Sequence, residues 1–189
     1  MQYTIDYSTA VWFPAPAEFP TAAFASEGDW LDAFVEEYER DLGELDETAR
    51  ETLREFAAFA RAERSPLATE FLLFCPRSIP VLGIAAVHVA PSDPSTPLDL
   101  DGAVAIDDRA VLTPTVDDVH AKHLGAGRRA AVVVPSSAPG SVGGRINYAF
   151  EHAGCVVVVS ASADRLPEAS VLLPFVERLV DGIRIEETS

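Results

Sequence analysis

Cysteine is scarce in this chain: Cys75 and Cys155 are the only two among 189 residues. Both lie within apolar segments, where an unbridged thiol behaves as a small core hydrophobe. A chain of this length buries roughly 70% of its unfolded surface and needs no disulfide framework. We therefore expect a single domain over residues 1–189 held by its hydrophobic core. A bridge between the two cysteines would require neighbouring strands and an oxidising medium.

Long hydrophobic runs are also missing. No segment approaches the ~20 apolar residues that a membrane-spanning helix needs. Residues 1–14, MQYTIDYSTAVWFP, lack both the basic region and the continuous apolar segment of a secretory signal. These absences predict a cytoplasmic protein without a membrane partner.

Basic residues are few, since 14 Lys and Arg stand against 30 Asp and Glu, for a formal net charge of −16. Nucleic-acid binding needs a basic stripe, so the composition argues against a nucleic-acid partner and permits a basic protein partner. Lys122 is the only lysine, which we interpret as the coding bias of a GC-rich genome. The acidic run from Glu36 to Glu55 is typical of solvated helix faces or, alternatively, of an interaction face.

Clusters typical of metal sites are not found. His120 and His123 are close in sequence, but three residues apart on a strand they point to opposite faces and cannot share one ion. Asp99, Asp101 and Asp108 only faintly resemble a calcium loop, because the last ligand position holds aspartate rather than glutamate. We expect no metal and no cofactor.

Catalytic motifs are missing as well. The glycine-rich segment 140–145 precedes a predicted strand, whereas phosphate-binding loops follow a strand and open a helix. Ser141 has glycine at the wrong offset for a nucleophile elbow. The sequence therefore predicts a protein that is not an enzyme. A hydrolase would need Ser, His and Asp brought together by folding, with His88 and His152 as the histidines to inspect.

The valine-rich segment is the strongest structural signal. Val156 to Val159 are consecutive and β-branched, and successive side chains of a strand point to opposite faces. A strand that is apolar on both faces needs cover on both. The link over residues 151–154 is too short for a parallel crossover, so its neighbours are antiparallel.

A helix is predicted after this strand, because apolar residues recur there at helical spacing: Leu172, Phe175, Val176, Leu179, Val180 and Ile183. Pro167 suits a first helical position, and Gly182 suits the end. Pro174 removes a backbone donor. It therefore predicts a kink, or a regular helix that starts near Ser170.

The remaining elements follow from periodicity and turn residues. Asp29 and Asp46 are predicted to cap two helices near 30–42 and 47–64. Residues 3–13 form a strand or an extended arm, and further strands are expected at 69–75, 81–90, 115–124 and 128–134, with a turn at 125–127. Residues 98–113 fit a short helix, an irregular excursion or a mobile flap. The fold class is therefore α+β: an α/β/α sandwich with an antiparallel sheet of six or seven strands covered by helices on both faces.

The segment RINYAFEHAGCVVVVSASADRLPEASVLLPFVERLVDGIRI, preceded by two helices and antiparallel strands, resembles the PsbP-like α/β/α sandwich family. The resemblance covers most of residues 67–186. It implies a mostly non-enzymatic role, since members include a photosystem II extrinsic subunit, a factor that binds a nuclear-transport GTPase, actinobacterial lipoproteins and chaperones of secreted effectors. It supplies no site residues, because no site motif of the family is matched.

An aromatic set near proline-rich segments is the candidate partner site, because large apolar side chains are costly to expose: Trp12, Phe13, Phe19, Phe24 and Trp30. These residues either cap the core or line a groove for a partner. We therefore predict a non-catalytic protein-binding module, an adaptor or chaperone. The alternative is a small-molecule binder with an apolar pocket between the sheet and its helices.

Overall fold

The structure, a computed structural model, describes residues 2–76, 79–93, 95, 96 and 98–186, with the backbone alone at 41 and 42. The predicted links at 76–80 and 91–97 lie partly outside the described residues. Helices in the described part are α1 (Glu27–Leu42), α2 (Glu47–Ala62), α3 (Leu100–Ala105) and α4 (Leu166–Asp181). Its strands are β1 (Gln2–Ile5), β2 (Trp12–Pro14), β3 (Glu70–Phe74), β4 (Gly83–Pro91), β5 (Thr115–Ala121), β6 (Gly125–Pro135), β7 (Val142–His152), β8 (Cys155–Ala163) and β9 (Ile183–Glu186).

Seven strands form one antiparallel sheet in the order β2-β3-β4-β8-β7-β6-β5. β1 and β9 pair separately as a two-stranded antiparallel ribbon. Helices pack on both faces of the large sheet. The predicted α+β sandwich with an antiparallel sheet of six or seven strands is therefore confirmed. None of the helices in the described part of the chain is long and apolar enough to cross a bilayer.

One face of the sheet is closed by α4. Val157 and Val159 of β8 are fully buried there, packed with Leu172 and Val176 of α4. The β1–β9 ribbon packs against the edge of the same core through Tyr3, Ile5 and Ile185. Two of the four consecutive valines are thus buried on this face.

The opposite face has two separate covers. The α1–α2 pair packs over β3 through Phe34, Leu53 and Ala57, and α3 packs over β6 and β7 through Val104. Because these covers do not meet above the centre of the sheet, the alternate side chains of β8, Val156 to Ser162, are only partly buried. The expectation of complete cover on both faces is therefore met on one face and only in part on the other.

Helix boundaries differ from the sequence prediction at three positions, of which the end of α2 at Ala62 rather than near 64 is the smallest change. α1 begins at Glu27 rather than near residue 30, because Ser26 accepts the Asp29 N–H at 3.2 Å and donates to the Asp29 carboxylate. This reciprocal arrangement makes Ser26 the cap. α4 is helical from Leu166 through Pro174, so the alternative start near Ser170 is wrong. The predicted caps Asp46 and Gly182 are confirmed.

The β5–β6 turn lies earlier than the glycines suggested. β5 ends at Ala121 and pairs with Gly125, so residues 122–124 form the turn. Gly125 has φ +77°, a conformation that glycine adopts readily. Of the three alternatives for residues 98–113, the short helix is realised: α3 begins after Asp99, whose side chain accepts the Gly102 N–H.

A candidate ligand-binding cleft

An open cleft of about 580 Å³ lies where the N-terminal arm, residues 6–12 after β1, crosses the end of α4. We call it the arm cleft. Its lining comes from the arm, the β5–β6 turn, α4 and β9: Asp6, Tyr7, Ser8, Val11, Trp12, Lys122, His123, Phe175, Arg178, Leu179, Asp181, Gly182 and Arg184. Segments far apart in the sequence therefore build one concave surface.

Backbone contacts hold these segments together. The Asp6 N–H donates to the Gly182 carbonyl at 3.0 Å, and the Lys122 N–H donates to the Asp181 carboxylate at 2.9 Å. A Cβ placed on Gly182 would lie 2.0 Å from the Asp6 carbonyl oxygen. Both the arm and the β5–β6 turn are thus fixed to the C-terminal end of α4.

The floor of the arm cleft is apolar and largely aromatic. The rings of Trp12 and Phe74 lie 5.2 Å apart between centroids, and those of Phe74 and Phe175 lie 5.1 Å apart. Leu179, only 1% exposed, completes the base. Tyr7 forms part of the wall, and burial followed by the nearby Glu70 charge raises the pKa of its phenol. The floor is therefore built of aromatic rings tilted against one another, of which the Phe175 ring is the partly exposed one.

Cations form the rim. Lys122, Arg178 and Arg184 are exposed there, and none has an ion pair among the described residues. The Arg178 guanidinium lies over the Phe175 ring, 5.8 Å from its centroid. His123 is half-buried, and its Nε2 is buried with no hydrogen-bond partner in the described part of the chain. The arm cleft thus joins an apolar floor to a polar rim that carries these three cations and the carboxylates of Asp6 and Asp181.

The five predicted partner-binding aromatics do not share one surface. Trp12 is 2% exposed and belongs to the core under α4, where it lines the arm cleft. Trp30 is 0% exposed in the core under α1, and its indole N–H donates to the Pro14 carbonyl at 3.0 Å. Phe13, Phe19 and Phe24 are partly buried against that second core. The set therefore serves two cores on opposite faces of the sheet.

The histidines and cysteines are dispersed. His88 and His152 lie on β4 and at the end of β7, and His120 is exposed on β5. Cys75 and Cys155 are buried and do not form a disulfide. Among the residues that the structure describes, no group of three His, Cys, Asp or Glu side chains is placed to hold a metal ion.

The apolar pocket expected between the sheet and its helices is very small where α1 meets β2. The opening lined there by Thr9, Phe13, Phe34 and Tyr38 has a volume of about 10 Å³, roughly the space for one water. The arm cleft, with its mixed lining, is the larger opening.

Sequence reasoning missed most residues of the arm cleft. Composition explains Lys122 by coding bias, and no sequence pattern singles out Asp6, Arg178 or Arg184. The single lysine in so acidic a chain was the one available signal. Which residues meet across the arm depends on the pairing of β1 with β9, and local patterns do not specify that pairing.

No family model, curated protein or solved structure matches the chain. The resemblance to PsbP-like proteins therefore rests on its sequence pattern alone and stays a prediction.

Proposed function

We propose that the protein is a non-catalytic, cytoplasmic binding protein that holds a small organic molecule in the arm cleft. The observation that carries this proposal is the cleft itself, because its volume of about 580 Å³ falls within the roughly 300–1,000 Å³ typical of small-molecule sites. Its combination of an apolar floor with a few polar groups at the rim is also typical of such sites.

The absence of a paired nucleophile and base in the arm cleft supports a binding role. His123 is the lining residue best suited to act as a general base, and a base of this kind must lie within hydrogen-bond reach of the group it activates. Its Nε2 has no hydrogen-bond partner in the described part of the chain. Neither cysteine lines the cleft.

A thermal-shift screen tests the proposal. A ligand at a hundred times its Kd stabilises the folded protein by roughly 2.7 kcal/mol, a readily measured shift. Each hit is repeated on Ser8→Phe, which places a ring in the arm cleft at an exposed position, and on the control Ser95→Phe, outside it. Binding that survives both substitutions equally, or a library without hits, would count against the proposal.

A second candidate is the protein-binding module predicted from the sequence. Exposed large apolar side chains favour it: Ile106 is 77% exposed, Val111 52% and Leu112 63%, all in the segment that follows α3. Exposed apolar groups concentrated in one segment are typical of interaction sites. With a chain charge of −16, the partner would be a basic protein.

Pull-down from the native host tests the second candidate. The expected result is one stoichiometric basic partner, lost when Ile106, Val111 and Leu112 are changed together to serine and retained in Ser8→Phe. A monomer that retains no partner at high concentration would argue against it. The two candidates thus depend on different residues and are separable.

A further inference from the structure

We infer that the arm cleft accepts an organic anion, with a carboxylate or phosphate group held at the rim by Lys122, Arg178 and Arg184 and an apolar body resting on the partly exposed Phe175. This inference rests on the proposed binding function and names its ligand class. The cations of this acidic chain are unevenly paired with carboxylates.

Most arginines outside the arm cleft are paired with carboxylates in the described part of the chain, whereas Arg64 donates to the Ala68 carbonyl at 2.8 Å. Nine arginines form ion pairs in the described part of the chain: Arg40, Arg50, Arg54, Arg61, Arg109, Arg128, Arg129, Arg145 and Arg165. With 30 acidic residues in the sequence, pairing partners are plentiful. Lys122, Arg178 and Arg184 are nevertheless unpaired within the described residues, although all three line one cleft. Three cationic side chains without a carboxylate partner among the described residues therefore line the same cleft.

The two aspartates of the lining do not neutralise these cations by direct contact. Asp181 accepts the backbone N–H of Lys122 at 2.9 Å, so part of its charge is satisfied by the main chain. Neither Asp181 nor Asp6 forms an ion pair with the three cations in the part of the chain described here. Three cations and two aspartates leave the lining with a formal charge of +1, in a chain of −16. The positive lining therefore attracts an anion to the arm cleft, although the chain as a whole is negatively charged.

His123 is a second, independent observation. Its Nε2 is buried without a hydrogen-bond partner among the described residues, and a buried polar atom in that state carries a desolvation cost unless something binds it. His123 lines the same cleft as the cations. A turn of the His123 ring toward the cleft would let a protonated Nε2 donate to an anionic oxygen at the rim.

The C-terminal end of α4 offers a competing explanation for the cations. A helix C-terminus carries a partial negative charge, and nearby Lys and Arg stabilise it. That role predicts a change in stability when the cations are removed, and no change in ligand affinity. The two explanations therefore differ in a measurable quantity.

Calorimetric titration with a matched set of naphthalene ligands tests the inference: 1-naphthoate, 1-naphthyl phosphate and the neutral 1-naphthamide. These share one aromatic body for the floor and differ in the group that reaches the rim. We expect at least one anion to bind about tenfold more tightly than the amide, as charge-assisted hydrogen bonds imply. The stronger of the two anions identifies the preferred group.

Three neutralised variants, Lys122→Gln, Arg178→Gln and Arg184→Gln, locate the effect. Each is expected to weaken anion binding several-fold and leave amide binding unchanged. Arg40→Gln, on the exposed surface of α1, changes the net charge equally and should leave both affinities unchanged.

The possible results separate the binding proposal, the anion inference and the helix-end explanation. If the amide binds as well as the anions and Ser8→Phe abolishes both, the binding proposal holds and the anion inference fails. If the Gln variants lower thermal stability without altering affinity, the cations serve the helix end and the inference also fails. If no naphthalene ligand binds, the inference fails for this chemistry, while a hit from the wider screen could still support the binding proposal.

Discussion

The backbone N–H of Asp6 donates to the carbonyl of Gly182 at 3.0 Å, and the Asp6 carbonyl oxygen lies 2.0 Å from where a Cβ on Gly182 would be. Main chain therefore meets main chain at the end of α4, with no room for a side chain between. The arm cleft depends on this contact, because the arm is one of its walls.

Gly182→Ala should open this contact. The added methyl group cannot share space with a backbone oxygen, so the arm must move, and overpacking of this kind costs about 1–3 kcal/mol. Chemical denaturation should show that loss, and hydrogen exchange should become faster at residues 2–8. Gly28→Ala is the matched control: its Cβ would have its nearest neighbour at 3.6 Å, inside α1. There alanine should be neutral or should stabilise by up to about 1 kcal/mol.

A strained alanine offers a test of the β7–β8 hairpin. His152 pairs with Cys155, and the two residues between them have positive φ, 48° at Ala153 and 71° at Gly154. An L-residue in this region costs about 1–2 kcal/mol, whereas glycine loses about 0.5–1 kcal/mol of chain entropy. Ala153→Gly should therefore stabilise the protein by about 0.5–1 kcal/mol in urea denaturation. The same change at Ala126, exposed on β6, should destabilise it by about 0.5–1 kcal/mol. Equal signs at the two positions would contradict this account.

The sheet was largely predictable because its signals are local. Four valines and a short predicted link at 151–154 are enough to predict an antiparallel, mostly buried strand, and β8 has that form, with a turn of only two residues, Ala153 and Gly154. Complete cover on the second face was not predictable, since it depends on how far α1 and α2 lie from α3. Periodicity gives the faces of a helix but not its distance from other helices.

The arm cleft was not predictable for a related reason. Trp12 and Phe13 are adjacent in β2, and strand geometry sends them to opposite faces and so to different cores. Their proximity in the sequence suggests one aromatic site. In the structure the two side chains pack in different cores. Arg184 lines the same cleft as Lys122 and Arg178 only because of the tertiary fold, which no spacing of residues indicates.

Asn147 fixes α3 to the sheet. It is 6% exposed, its amide donates to the Val104 carbonyl at 2.8 Å, and its carbonyl oxygen accepts the Ser160 hydroxyl at 2.8 Å. Asn147→Ala leaves a buried carbonyl unsatisfied, which costs about 1–3 kcal/mol. We expect that loss in denaturation, with faster hydrogen exchange at residues 100–106. Ser160→Ala should cost less, and in the double variant the two losses should not add, because both remove one network. Additive losses would argue against a shared network.

Two carboxyl groups should shift the pH dependence of stability in opposite directions. Burial raises the pKa of Glu70 above that of an unfolded glutamate, and Arg64 offsets this only in part. At Asp164, burial acts upward, but hydrogen bonds from the Ser137 N–H and hydroxyl prevail and lower its pKa.

The signs follow from proton linkage. A raised folded pKa gives stability that is present below the unfolded pKa and is lost as pH rises through the folded value. Glu70→Gln, which mimics the protonated form, should therefore be more stable than the parent at pH 7 and equal to it near pH 3. A lowered pKa gives stability that is lost as pH falls, so Asp164→Asn should be less stable at pH 7 and equal near pH 2. Both differences should stay below about 1 kcal/mol, because solvent screens these partly exposed groups. Urea denaturation across this pH range measures them, and the same sign at pH 7 for both variants would contradict the assigned environments.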